Sequence, residues 1–397
     1  MALDLSFERV VAFARDLIRI PSPPGGEGDV ADRVRAELEA LRFDDVWIDE
    51  VGNVIGRVRG RGAAPPVMLS SHLDVVDVGD PAEWEHPPFA GEIADGFLHG
   101  RGAMDVKGPL AVQTYAAAHF VAERPAGDVI VAHTVLEERG GWGMEHLVSA
   151  GEVRPAAVIL GEATGGDLCI GHRGRAELQV EISGLAGHAS APERARNALD
   201  LVPAALTALR QFAETLPSDP VLGRSTLAPT AVETRPASRN VIPDQAVVVA
   251  DWRTLPGLDA DTAVARLDAF LRERVPEPEG FRLRTTVATV EQTTYTGRAG
   301  RRTLFAPAYL LSPDHPIVRG AAQALHAATG RLPNIRPWTF ATDGGHTCGT
   351  YGIPTIGFAP GEERHAHTNR ERLDLSAARL AYAAYPALIR AVQAAAA

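Results

Sequence analysis

Five short stretches of the chain each contain a group able to hold a divalent cation: Ser71-His72-Leu73-Asp74, Gly100-Arg101-Gly102-Ala103-Met104-Asp105-Val106-Lys107-Gly108, Glu137-Glu138, Gly161-Glu162-Ala163-Thr164 and Ala366-His367-Thr368-Asn369-Arg370-Glu371. Together they supply enough imidazole and carboxylate donors for two ions sharing one carboxylate, and no thiolate. Such a set suits zinc, cobalt or manganese used as a Lewis acid, not a structural zinc staple. The chemistry it indicates is hydrolysis.

Each stretch alone also has an ordinary structural reading. His72 by itself is as well explained as a hydrogen-bonded core histidine, but a carboxylate two residues on, Asp74, can orient the imidazole through its other nitrogen. Glu137-Glu138 by itself is a charged loop after a strand. Gly140-Gly141 behind it permits a tight turn, and adjacent acids at a strand end can face different partners. His365 lies two residues from His367 and is read as solvated or supporting. The segment Thr342-Asp343-Gly344-Gly345-His346 reads as a loop capped by Asp343. Cys169 and Cys348 read as packing residues, and Arg101 and Lys107 as residues that shape their loop.

The elements that must position these groups follow from hydrophobic spacing. Val10, Ala14, Leu17 and Ile18 share one helical face, as do Val30, Val34, Leu38 and Leu41, with a turn from Pro21 to Gly28 between them. Val67-Met68-Leu69, Val129-Ile130-Val131, Val158-Ile159-Leu160 and Ile353-Pro354-Thr355-Ile356 each have the length of a buried strand. Leu110 to Val121 reads as a helix between them, which predicts an α/β fold with a mostly parallel sheet. Ligands of such sheets bind beyond the carboxyl ends of the strands, and His72, Glu137, Glu138 and Glu162 all lie just after an apolar run. Asp105 falls instead in a Gly-rich turn before the helix that Pro109 opens.

From about Arg175 to Val290 the pattern changes. Strands are predicted at Glu177 to Ser183, Ala246 to Arg253 and Phe281 to Val290, and helices at Asn197 to Leu216 and Thr262 to Val275. Two helices on one face of a mostly antiparallel sheet make a small α+β layer. Glu291 to Phe305 reads as a polar return linker.

At 397 residues the chain is long enough for two domains with separate cores. A net charge of -11 disfavours nucleic acid and anionic membrane surfaces as partners. The start Met1-Ala2-Leu3-Asp4 lacks the basic, apolar pattern of a signal peptide, no stretch is long enough to span a bilayer, and two cysteines make no disulfide framework. A cytoplasmic enzyme is expected.

The order of these motifs resembles the dinuclear aminoacylase and carboxypeptidase superfamily, peptidase clan M20, which includes acetylornithine deacetylase and succinyl-diaminopimelate desuccinylase. Trp84-Glu85-His86-Pro87-Pro88-Phe89, running through Asp95-Gly96 to Gly100-Arg101-Gly102, is similar to that family's approach to its shared aspartate. Val78-Gly79-Asp80, Pro192-Glu193-Arg194 and Trp338-Thr339-Phe340 most resemble its hydrolases linked to selenium metabolism, a match to a branch and not to a substrate.

The resemblance implies two divalent ions per chain, zinc first with cobalt or manganese as alternatives. His72, Asp105 and Glu162 would hold one, and Asp105, Glu138 and His367 the other. Glu137 would be the general base, and Asp74, which would orient the His72 imidazole, is counted with the catalytic residues. It also implies a catalytic metallohydrolase domain in two parts, 1–174 and 292–397, around an inserted lid and dimerisation domain, 175–291. In that lid, Gly187-His188-Ala189-Ser190 matches the family's histidine that stabilises the oxyanion in the partner subunit of a homodimer. Asn240 and Arg253, with Asp343 from the main domain, would bind substrate. The expected reaction is hydrolysis of small N-acylated amino acids. Short peptides (dipeptidase or carboxypeptidase) and N-carbamoyl amino acids are the alternative substrates, and a catalytically silent metabolite-binding protein is the alternative class.

Overall fold

The computed structural model describes residues 3–397; the first two residues of the amino-terminal reading, Met1 and Ala2, lie outside the described residues. The chain divides into two compact units. One comprises the residues up to His172 with Gln292–Gly300 and Leu310–Ala397, the other Arg173–Glu291 with Arg301–Tyr309.

In the first unit the predicted helical faces become the buried faces of Phe7–Ile18 and Gly28–Ala40. An eight-stranded sheet runs Asp45–Ile48, Val54–Val58, Val129–Thr134, Val67–His72, Ala157–Leu160, Thr355–Gly357, Leu168–Cys169 and Ile335–Arg336. Val129–Thr134, Val67–His72, Ala157–Leu160 and Thr355–Gly357 pair in parallel, and both neighbours of Val54–Val58 are antiparallel to it. The sheet is therefore mixed: parallel at its centre, antiparallel toward the Asp45–Ile48 edge, and on the other side joined by an antiparallel pairing of Gly357 with Cys169. Every residue of the four central strands is buried, as expected for strands covered on both faces. The helix predicted at Leu110 to Val121 starts earlier, at Lys107, and all twelve of its residues to Ala118 are buried.

In the second unit an antiparallel sheet runs Thr226–Arg235, Gln245–Thr254, Gly174–Ser183 and Arg282–Val287, and Phe305–Ala306 adds a short pairing to Gly174–Ser183. Burial alternates along Gly174–Ser183, so Ala176, Leu178, Val180 and Ile182 face a core that Val202–Glu214 and Ala260–Arg272 complete with Leu209, Phe212, Leu267 and Leu271. Trp252 packs edge-on against Phe212 at 5.2 Å.

Thr226–Arg235 is a strand that the sequence pattern did not reveal. It is an edge strand, exposed at most positions, and its register shifts between Pro229 and Ala231, so it lacks the apolar alternation of its neighbours. The expected linker is also more ordered than its composition suggests: Thr294 to Arg298 forms a tight turn, and the Tyr295 hydroxyl donates to the Gly52 carbonyl at 3.0 Å. Among the described residues no helix is long and apolar enough to cross a membrane.

Candidate metal centre

His72 is the last residue of its strand, Glu137 and Glu138 lie in a short turn after Val129–Thr134, and Glu162 lies two residues beyond Ala157–Leu160. The parallel register brings these ends to one rim of the sheet: His72 is level with Thr134, and Ser70 with Leu160. Asp105 occupies the turn before Lys107–Ala118, and His367 the loop between a turn at Glu363–His365 and the strand Arg372–Asp374.

The rim gathers all six groups. Asp105 sits between the two imidazoles, Oδ1 at 3.3 Å from His72 Nε2 and Oδ2 at 3.3 Å from His367 Nε2. His72 Nε2 is also 3.7 Å from Glu162 Oε1, and His367 Nε2 is 3.0 Å from Glu138 Oε1. Among the described residues, two trios have donor atoms mutually within 4.8 Å: His72, Glu137 and Glu162, and His72, Asp105 and Glu138. These trios differ from the sets implied by the resemblance in giving His72 to both and in including Glu137. His367 joins through its contacts with Asp105 and Glu138.

Asp74 acts differently from the expectation that its carboxylate orients His72. The Nδ1–H of His72 donates to the Asp74 carbonyl at 2.8 Å, while the carboxylate oxygen is 3.6 Å away, beyond hydrogen-bond range. A carbonyl only accepts, so Nδ1 carries the proton and Nε2 is left to face the cluster. The Asp74 carboxylate instead accepts the backbone N–H groups of Glu137 and Glu138, each at 3.1 Å. Glu371 mirrors it, accepting the N–H groups of Met104 and Asp105 at 3.1 Å and the Arg101 guanidinium at 2.6 Å. That role was not read from the sequence, although Glu371 follows His367 by four residues.

The turn bearing Glu137 is further constrained. Leu136 takes a left-handed backbone conformation, φ 57°, which costs a residue with a Cβ about 1–2 kcal/mol. The Glu27 carboxylate holds it by accepting the Leu136 N–H at 3.2 Å, and Asn53 Oδ1 accepts the Val135 N–H at 3.0 Å. His367 is also left-handed, φ 59°. Such conformations persist where surrounding contacts over-determine them. Around Glu162, Trp338 Nε1 donates to the Ala163 carbonyl at 3.0 Å, and Arg336 links the Thr164 carbonyl at 3.0 Å to the Glu363 carboxylate at 2.5 Å. Sequence reasoning gave none of Glu27, Asn53 and Arg336 a role, because such contacts leave no spacing signal.

Gly140 and Gly141 do form the tight turn expected of them, with φ 105° and 74°. A Cβ on Gly141 would come within 2.7 Å of Asp343 Oδ1 and 2.8 Å of His346. Gly141→Ala should therefore destabilise the protein by on the order of 2–3 kcal/mol, read from the denaturation midpoint, the left-handed penalty and the overlap adding. A wild-type midpoint would mean that the turn relaxes freely.

Electrostatics describe a site built for cations. Burial pushes the Glu137 carboxyl well above the usual range; His72 offsets part of this, while Glu162, Asp343 and Glu138 add repulsion. Burial raises Glu162 to about 8, with Asp105, Asp343 and Glu138 adding to it against the pull of His72. Burial opposes a charge on His72, yet Asp105 and Asp74 hold its pKa well above the ordinary value, and hydrogen bonds to Asp105 and Glu138 raise His367 to about 10. Protons are thus retained where carboxylates crowd together. The donor types, the sharing of Asp105 between two imidazoles and the mutual repulsion of the acids all fit two divalent ions.

Asp343 is buried and accepts the Thr134 hydroxyl at 2.9 Å through Oδ2; among the described residues, its Oδ1 has no hydrogen-bond partner. Burial raises it to about 7. The remaining candidates lie in the second unit. His188 and Asn240 meet there: His188 pairs with Val241, the Ala189 N–H donates to the Asn240 carbonyl at 3.1 Å, and Ser190 holds His188 Nδ1 at 2.7 Å. Both are exposed. Arg253 pairs with Asp251 at 2.8 Å, and Asp251 also accepts from Arg175.

A sheet rim carrying two imidazoles and four carboxylates about one shared aspartate defines a metal-dependent hydrolase. The sequence profile of peptidase family M20/M25/M40 matches residues 68–391, and the chain belongs to this family, whose members are enzymes acting on amide or peptide bonds. The chain is 30% identical over 364 residues to the Escherichia coli protein YgeY, covering 91% of this chain and 88% of that one. It is 31% identical over 351 residues to a succinyl-diaminopimelate desuccinylase of Methylorubrum extorquens, covering 82% and 84%. A solved M20 metallo-carboxypeptidase of Sulfolobus solfataricus, 17% identical, shares the fold with a TM-score of 0.73 over 97% of this chain and 99% of that one.

Proposed function

We propose that the enzyme hydrolyses the amide bond of small N-acylated amino acids carrying a free carboxylate. The observation that carries this reading is the Asp105 carboxylate shared between His72 and His367 at 3.3 Å each, and the desuccinylase relative supports the acyl-amino-acid class. His72, Asp105 and Glu162 would hold one ion, Asp105, Glu138 and His367 the other, with zinc the metal assigned. Two such ions supply Lewis acidity that polarises the amide carbonyl and acidifies the attacking water.

The chain's own groups do the rest. The Glu137 carboxylate takes the proton of the attacking water and returns it to the leaving amine. His188 donates to the developing oxyanion in the partner subunit of a homodimer formed through the inserted domain, 175–291; the long exposed edge strand Thr226–Arg235 supports pairing there. Arg253 engages the substrate carboxylate as a planar fork, with Asn240 and Asp343 beside the substrate.

The test is a screen of the purified, metal-loaded protein against N-acetyl, N-succinyl and N-carbamoyl amino acids beside dipeptides. Turnover of an N-acyl amino acid is expected, and turnover of dipeptides alone would move the reading to a peptidase. Full activity in chelator with no bound transition metal would end it. Arg253→Lys keeps the charge but loses the fork, so it should raise KM for substrates with a free carboxylate and leave their amides unchanged. Equal effects on both would remove Arg253 from the pocket.

A further inference from the structure

Of the chain's 39 lysine and arginine residues, 38 are arginine. The one lysine is Lys107, and it has no exposed surface. Burying a strongly hydrated ammonium is unfavourable unless its neighbours compensate it. A chain that uses arginine at every other basic position, yet keeps lysine at its most buried one, has a geometric reason for the compact head group.

The contacts show what that reason is. Nζ of Lys107 donates to the Ile20 carbonyl at 2.6 Å, and its backbone N–H donates to the Gly102 carbonyl at 2.8 Å. The stem lies against Gly102 so closely that a Cβ there would fall 2.9 Å from Lys107 Cδ. Two residues beyond Ile20, Ser22 is tied to the end of the His72 strand: its hydroxyl donates to the Leu73 carbonyl at 2.8 Å, and its carbonyl accepts the Val75 N–H at 2.9 Å. Lys107 thus joins the Asp105 turn to the segment that braces His72 and Asp74. Burial lowers the Lys107 pKa to about 7, and the attraction of two buried carboxylates, Glu371 and Asp74, works against that fall. These are the acids that clamp successive backbone N–H pairs, Asp74 under Glu137 and Glu138, Glu371 under Met104 and Asp105.

We infer that Lys107 is a positioning residue for the metal centre: a compact head group that ties the Asp105 turn to the segment bracing His72 and Asp74, and so holds the turns that the Asp74 and Glu371 clamps orient in a single frame. A guanidinium is too broad and planar to replace it. The inference rests on the metal-binding reading of the site.

It is tested by titrating wild type, Lys107→Arg and Lys107→Met with Zn²⁺ against a chelating indicator, with circular dichroism to establish folding. Wild type should bind two ions, and both variants should lose at least ~10-fold in affinity, the low end for groups that orient metal ligands. In each, kcat should fall while KM holds. Wild-type affinity in Lys107→Arg overturns the inference even if Lys107→Met fails to fold, because the Arg variant keeps the charge. Wild type that binds no metal overturns the underlying reading as well. A second readout needs no variant: with one lysine in the chain, mass spectrometry after amine acylation of the peptide that contains it, kept apart from the amino-terminal peptide whose α-amino group also acylates, follows Lys107. Its labelling should quicken at least ~10-fold when metal is chelated and the frame loosens. Equal rates at the Lys107 peptide in the two states would separate Lys107 from the metal centre and overturn the assignment.

Discussion

Glu137→Gln should leave the enzyme folded and fully metal-loaded while kcat falls by at least ~100-fold, the low end for loss of a general acid–base group. Glutamine has nearly the same shape, and the turn that carries it is held through backbone N–H groups, that of Val135 by Asn53, that of Leu136 by Glu27 and that of Glu137 by Asp74. What is lost is the ability to take up and release a proton. Binding groups elsewhere are unchanged, so KM should stay within a few-fold. Metal content measured alongside turnover separates the two readings of the crowded rim, since Glu137 lies within 4.8 Å of donor atoms of both His72 and Glu162. Loss of an ion would make Glu137 a ligand, and normal turnover would remove it from proton transfer.

How much of this site the sequence revealed depends on the kind of signal each residue leaves. His72, Glu137, Glu138 and Glu162 follow apolar runs that fold as fully buried strands, and a parallel sheet carries such positions to one rim. The core elements were legible for the same reason: buried strands and one-sided helices must be apolar at fixed intervals. Asp105 and His367 sit in irregular loops, so only their motif resemblance pointed to them. The edge strand Thr226–Arg235 left no pattern because little of it is buried. The clamps were the least visible. Asp74 lies where a partner for the His72 imidazole was expected, yet its carboxylate serves two backbone N–H groups 63 and 64 residues away. Glu371 does the same across more than 260 residues. Backbone amides are present at every position, so no choice of residue marks the acceptor's target.

Removing the metals should make stability fall as pH rises above neutrality, whereas the loaded enzyme should show no such fall. Glu162 is raised from 4.5 to about 8 and Asp343 from 3.8 to about 7, chiefly by burial. Each carboxyl binds its proton more tightly folded than unfolded, so the stability it contributes is complete below the unfolded pKa near 4 and is lost as pH climbs through 7 and 8. His367, raised to about 10, acts in the same direction: its contribution is complete below about 6.5 and disappears toward 10. The buried His133 has the opposite sign. Burial lowers it to about 3, so the unfolded chain takes up the proton first and stability is lost as pH falls from about 6.5 toward 3. The two windows overlap and oppose each other between about pH 4 and 6.5, which leaves the alkaline side to the metal cluster. There Glu162 alone should account for on the order of 2 kcal/mol between about pH 6.5 and 9, at 1.36 kcal/mol per pKa unit. Divalent ions bind the deprotonated ligands, so their affinity and the stability they add grow over the same interval. Thermal melts across that range, with chelator and with Zn²⁺, should therefore diverge steadily; parallel curves would mean that these acids do not hold the ions.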